Sequence, residues 1–220
     1  MDPRRMPWLP GYAARPVVIL MLILTALLAA CGSGGPALTG TDLQMTPAPD
    51  FTLTDQHGKP FQLSSVQGKA VALAFIYTNC PDICPLITQH LKAAYQQLPA
   101  DAQGKVALIA VTVDPEHDTP EVLQEYSRKH QVADITNWHA LTSDRATLTP
   151  VWRNYAINPL SPGKLGDPSL GTGSTTPGPD DIQSHTDAIY IIDPQGRERV
   201  LMHSDSDPAA IANNLKALVG

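Results

Sequence analysis

Two unbroken apolar runs, Ala70 to Tyr77 (AVALAFIY) and Val106 to Val113 (VALIAVTV), constrain the fold of this chain more than any other feature. A strand with one wet face alternates apolar and polar residues, whereas a run of strand length without alternation must be covered on both faces. Between the two runs, Ile87, Leu91, Ala94, Tyr95 and Leu98 recur at helical spacing from Cys84 to Leu98, and Pro99 closes the segment. Two buried strands joined through a helix predict a crossover unit, and hence an α/β sheet covered by helices.

The flanking segments extend this pattern. Asp50 to Thr54 and Pro60 to Leu63 alternate around a turn containing Gly58, which predicts a β-hairpin. After Asp114-Pro115, a helix is expected from Pro120 to Lys129, with Thr119 as N-cap and Pro120 in the first helical position, where its missing N–H costs nothing. Trp138 to Leu141 fits a short strand near the sheet edge, and Asp144 to Tyr155 a helix interrupted by Pro150. Residues 158–184 hold five Pro and five Gly, a long loop inserted before structure resumes at Ala188 to Asp193. That run turns at Pro194-Gln195-Gly196 and returns along Arg199 to Met202, and a helix from Pro208 to Val219 closes the chain. This order of elements is that of a thioredoxin-like fold: a central mixed β-sheet flanked by helices, with an N-terminal β-hairpin and a long loop insertion.

The first thirty residues read as an address rather than as part of that fold. Arg4, Arg5 and Arg15 precede an uncharged run, Val17 to Ala30, of 14 residues. A spanning helix needs roughly 18 or more apolar residues, so this length fits a signal-peptide core better than a permanent anchor. The small residues Ala29 and Ala30 then stand directly before Cys31, an arrangement resembling a bacterial lipoprotein box in which Cys31 is lipidated and becomes the new N-terminus. Residues 31–47, rich in Gly, Ser, Thr and Pro, read as a flexible tether, and the folded domain is expected over residues 48–220. The protein is thus expected outside the cytoplasm, held to a bacterial membrane by lipid. Three basic residues and one acid lie before residue 31, leaving 12 Lys and Arg against 20 Asp and Glu, a net charge of −8. So acidic a body argues against a nucleic-acid partner, whose phosphates are neutralised mostly by Lys and Arg.

Beyond Cys31 the chain has two cysteines, in Cys80-Pro81-Asp82-Ile83-Cys84-Pro85, between a buried strand and the helix it feeds. Unpaired N–H groups and the positive dipole end at that junction favour thiolate over thiol, which both metal binding and disulfide chemistry require. A purely structural disulfide across three intervening residues would remove little chain entropy. Thiol oxidoreductases of this fold usually carry C-x-x-C, and the additional residue here lets both sulfurs point at one ion. Soft thiolates select Cu(I), with imidazole able to complete the site, while a closed zinc site would want four protein ligands. A peroxidase is disfavoured, because no Pro-x-x-x-Thr-x-x-Cys arrangement precedes Cys80. Among the seven histidines, His57, His117 and His130 read as solvated, His90 falls on the side of its helix opposite Cys84, and His139 and His203 lie in or at strands. His185 stands apart, directly before a buried strand, where a thioredoxin-like topology brings the chain beside the cysteine helix.

Three segments together resemble the Sco/SenC family: Tyr77-Thr78-Asn79-Cys80-Pro81-Asp82-Ile83-Cys84-Pro85, Val111 to Pro120 (VTVDPEHDTP), and His185 ahead of Ile189 to Gly196 (IYIIDPQG). The likeness runs from about residue 45 to 219. It implies a copper chaperone of thioredoxin-like fold that helps assemble the dinuclear copper centre of cytochrome c oxidase, with Cys80, Cys84 and His185 as copper ligands. Cu(I) is the favoured state, with Cu(II) also open. The implied partners are the copper-centre subunit of the oxidase and, upstream, a thiol reductase or copper donor. Asp114 would border the site, its other role being a carboxylate that caps the turn before the next helix. The Gly/Pro-rich lead-in to His185, ending in Gln183-Ser184, departs from the family pattern. The competing reading is a membrane-tethered thiol-disulfide oxidoreductase, in which Cys80 and Cys84 form the redox pair.

Overall fold

Side chains on both faces of the two apolar runs find cover because both runs occupy the middle of a wide sheet. The computed structural model describes residues 36–157 and 187–220. The apolar run 17–30, Cys31, the Gly/Pro-rich segment 158–184 and His185 lie outside the described residues. Eight strands form one sheet: β1 (Thr41–Pro47), β2 (Thr52–Asp55), β3 (Pro60–Gln62), β4 (Ala70–Ile76), β5 (Val106–Thr112), β6 (Trp138–Thr142), β7 (Ile189–Ile192) and β8 (Arg197–Met202). Their order across the sheet is β1-β8-β7-β4-β5-β6-β2-β3. β4 and β5 run parallel from Ala70 opposite Val106 to Ile76 opposite Thr112, and every residue of both is buried. β6 is parallel to β5, and the remaining neighbours pair antiparallel. The mixed sheet and its helical cover are those expected from the sequence.

Helix α1 (Ile83–Gln97) follows β4 and buries Cys84, Ile87, Thr88, Leu91 and Ala94. It packs against α5 (Pro208–Val219), and both lie on β4. Between them in sequence come the single turn α2 (Ala100–Gln103), α3 (Pro120–Lys129) and α4 (Arg145–Asn154). α3 packs against β6 and starts as expected, Thr119 Oγ1 accepting from the Val122 N–H with Pro120 at the first helical position. α4 is not interrupted at Pro150. Both Pro150 and Ala146, whose carbonyl loses its usual donor, are exposed, so water can take the missing partner's place.

Two further expectations are corrected. Residues 41–47, read as part of a flexible tether, form edge strand β1 against β8, so the folded unit begins before residue 48. The strand bulges between Asp42 and Thr46, where Gln44 and Met45 take positive φ of 57°, and it is exposed almost throughout. Neither the bulge nor an exposed edge leaves an apolar alternation to read. His139, expected near an edge, lies in β6, which pairs with β5 on one side and β2 on the other.

Candidate functional site

The chain leaves the C-terminal end of β4 through a tight turn, the Cys80 N–H donating to the Tyr77 carbonyl at 3.3 Å. Asp82 then starts α1 by accepting from the Ile83 N–H at 2.6 Å, which places Cys84 in the first turn of the helix. The two sulfurs lie in a nest of backbone donors. The Cys84 N–H points at Cys80 Sγ (3.3 Å), and the Tyr77 N–H at Cys84 Sγ (3.5 Å). Both cysteines are buried thiols, Cys84 fully and Cys80 5% exposed. The Cys80 thiol is lowered to about 6, first by its hydrogen bond with the Cys84 side chain, against burial, and further by the N–H groups of Cys84 and Asp82 and by the Tyr77 phenol. It is therefore largely ionised at neutral pH. Burial and the adjacent Cys80 push the Tyr77 phenol up, so it stays protonated and can donate.

Behind Cys84 the first turn of α1 is braced from α3. The Thr88 hydroxyl donates to the Cys84 carbonyl at 2.9 Å and meets the Tyr126 hydroxyl at 2.8 Å. Beside Cys80, the turn is tied to the β5–α3 loop. Thr78 gives both its N–H (3.2 Å) and its hydroxyl to Asp118, and the Thr112 hydroxyl donates to the other carboxylate oxygen. Asp118 is wholly buried, and that burial raises its carboxyl above the ordinary value despite the donors around it.

Asp114 lies in this same loop. Its carboxylate meets His117 Nδ1 at 2.9 Å, its carbonyl accepts from the N–H groups of His117 and Asp118, and its own N–H donates to Thr112 Oγ1. The N-cap of α3 is Thr119, so Asp114 organises the loop ahead of the helix without capping it. Of the histidines, His57 is exposed in the hairpin turn and His117 is half-exposed against Asp114. His130 is only partly exposed, its ring packed on Tyr126, rather than fully solvated. His139 packs on Phe61, His90 has a buried Nδ1 without a hydrogen-bond partner among the described residues, and His203 Nδ1 meets Asp187 at 2.7 Å. Among the described residues no group of three His, Cys, Asp or Glu side chains is placed to hold a metal ion. His185 lies outside them. Four residues after it, Ile189 opens β7 opposite Ala74, near the end of β4 from which the cysteine loop departs.

Comparison with known proteins agrees with this architecture. The model of the SCO1/SenC family matches residues 40–220. The chain belongs to that family. The SCO1/SenC relatives include Protein SCO2, mitochondrial, of Saccharomyces cerevisiae, 31% identical over 67% of this chain and 44% of its own. The matched stretches span less than half the length of the first curated relatives. Among solved structures, apo Sco1 from Thermus thermophilus is 29% identical with a TM-score of 0.61, covering 84% of this chain and 98% of its own. ScoI of Bradyrhizobium japonicum, solved with copper bound, is 28% identical with a TM-score of 0.57, covering 79% and 99%. Among the described residues, no helix is long and apolar enough to cross a membrane.

The sequence reading singled out both cysteines and Asp114 but passed over Tyr77, Thr78, Tyr126 and Asp118. Asp118 had a signal: it sits in Asp118-Thr119-Pro120, directly before a helix cap, yet its side chain is turned inward rather than to the helix.

Proposed function

We propose that this protein is an extracytoplasmic copper chaperone that receives copper as cargo and delivers it to the dinuclear copper centre of cytochrome c oxidase. The observation that carries this reading is the pair of buried sulfurs in one N–H nest, with Cys80 lowered to about 6. Two soft sulfurs, Cys80 held as an anion largely by dipoles with Cys84 beside it, suit Cu(I). Cys80, Cys84 and His185 are the proposed ligands, with Asp114 in the bordering loop. The copper-bound state of the Bradyrhizobium ScoI structure supports copper as the metal. Lipid on Cys31 would hold the protein at the membrane, within reach of the copper-centre subunit and of an upstream thiol reductase or copper donor. Anaerobic Cu(I) titration of the full chain in detergent, against a competing chelator, tests the proposal. One copper per chain is expected, weakened by His185→Ala with the fold intact; equal affinity after that change would remove His185 from the ligand set. Mass spectrometry of the native N-terminal peptide tests the anchor, and an unmodified Cys31 would exclude it.

The lowered Cys80 thiol beside Cys84 also favours a second reading, a thiol-disulfide oxidoreductase acting on a partner's copper-ligand cysteines. That activity needs no imidazole ligand. Reduction of a disulfide substrate by His185→Ala at the parent rate, without stoichiometric Cu(I) binding by the parent, would select it.

A further inference from the structure

The turn that carries Cys80 is weakly closed from within. Among the described residues its backbone is closed by the 3.3 Å contact from the Cys80 N–H to the Tyr77 carbonyl, and each residue of a turn keeps two soft dihedral angles unless something outside fixes them. Thr78, the second residue of that turn, supplies the outside fixation by giving its N–H and its hydroxyl to the Asp118 carboxyl. Asp118 is in turn fastened to the sheet. Its second oxygen accepts from Thr112, the last residue of β5, which is paired with Ile76 at the end of β4. Its backbone N–H donates to the Asp114 carbonyl at 2.9 Å, and the Asp114 N–H donates back to Thr112 Oγ1. A single wholly buried carboxyl group thus joins the cysteine turn, the neighbouring strand and the loop that follows it.

We infer that Asp118 is a positioning residue for the thiol pair: through Thr78 it fixes the Tyr77–Cys80 turn so that Cys80 Sγ meets the Cys84 N–H. This deepens the proposed function, since it rests on Cys80 and Cys84 acting as one site. Asp118 acts on the sulfur through Thr78. Its loss therefore frees the turn, and Cys80 with it, while leaving the α1 N-terminus and Cys84 in place. An amide can replace it in part, because one oxygen still accepts from Thr78 and the NH₂ group can donate to Thr112.

The equilibrium between the Cys80–Cys84 disulfide and dithiothreitol measures the effective concentration of one thiol at the other, and so reads positioning without copper. In the full chain, Asp118→Ala should lower it by about tenfold, the order of one charge-assisted hydrogen bond, and lower Cu(I) affinity similarly. Asp118→Asn should stay within about threefold of the parent. A role confined to stability would lower the unfolding midpoint of Asp118→Ala and leave the dithiol equilibrium of the folded protein unchanged. That result overturns the inference. If Asp118→Ala yields no folded protein, Thr78→Val decides: it keeps the N–H donor and loses the hydroxyl, and should shift the equilibrium by about threefold in the same direction. No shift in Thr78→Val overturns the inference equally. A shifted equilibrium in a protein whose parent binds no Cu(I) would leave the positioning role standing and reject the copper reading.

Discussion

Opposite ends of β4 are closed by two turns that each depend on a buried aspartate, and the partners of the two carboxylates differ in kind. At the β7–β8 end, Asp193 accepts from the N–H groups of Gln195 and Arg197 and is paired with the guanidinium groups of Arg197 (2.8 Å) and Arg199 (3.4 Å). Gly196, at φ 76°, supplies the left-handed residue that lets this turn close. At the cysteine end, Asp118 meets, among the described residues, only hydroxyls and an N–H, and the groups that lower Cys80 are likewise a thiol, N–H dipoles and a phenol. One end neutralises its anion with fixed cations. The other, among the described residues, holds an anionic sulfur by dipoles, a state to which an arriving cation adds attraction without first displacing an arginine.

The largest effects that would break this contrast lie at the sulfurs. Cys80→Ser or Cys84→Ser should lower Cu(I) affinity beyond the roughly 100-fold typical of losing a supporting residue, as read by chelator competition. Oxidation should act in the same way, since a disulfide offers no thiolate. Purification in air is expected to yield the Cys80–Cys84 disulfide, with Cu(I) binding restored on mild reduction and bound copper protecting the pair. Equal affinity before and after reduction would refute the switch. The reverse holds at the other end, where Asp193→Ala should cost about 3 kcal/mol in urea unfolding by leaving two partly buried guanidinium groups without their carboxylate. Its Cu(I) affinity should match the parent's. A fall in copper binding there would mean that the two ends are coupled through β4.

A smaller effect follows from the thiol itself. Cys80 is lowered in the folded chain from an ordinary value of 9 to about 6, so the folded state binds its proton less tightly than the unfolded state. Its contribution to stability is therefore present above pH 9 and is lost as pH falls through 6. Alkylation of Cys80 by iodoacetamide in the metal-free protein should be half-maximal near pH 6. A midpoint near 9 would remove the basis for a dipole-stabilised thiolate.

The same contrast shows what could be read from the chain unaided. The β7–β8 turn was legible because its determinants are adjacent: Asp193, Pro194, Gln195 and Gly196 stand in one run, and the carboxylate acts on the N–H groups two and four residues ahead. The central strands were legible from their apolar runs, and the two cysteines from their position at a strand–helix junction. Asp118 was not, because it reaches Thr78 across 40 residues of sequence, and only the β4–β5 pairing brings the two loops together. Strand β1 escaped for the opposite reason: it is local but exposed and bulged, and carries no periodicity. Asp114 stands between β5 and α3, and its link to His117 belongs to the folded turn and is not written in the sequence.

The smallest effect tests the last of the dipoles. Tyr77 is 2% exposed and keeps its phenol protonated beside Cys80, so Tyr77→Phe removes a donor without removing the ring that fills the space. The phenol follows the Cys84 and Asp82 donors among the groups that lower Cys80, so its loss should raise the thiol by less than removal of those groups. Stability should change by about 1 kcal/mol, the order of one hydrogen bond, since the Cys80 sulfur keeps its Cys84 and Asp82 donors. The alkylation profile should move to higher pH, and Cu(I) affinity near neutral pH should fall only a few-fold, because the thiolate is less populated when metal arrives. A profile that stays in place would assign the lowered thiol to the helix N-terminus and Cys84 alone. A shift as large as that from losing Cys84 would instead make the phenol, and not the backbone nest, the main support of the anion.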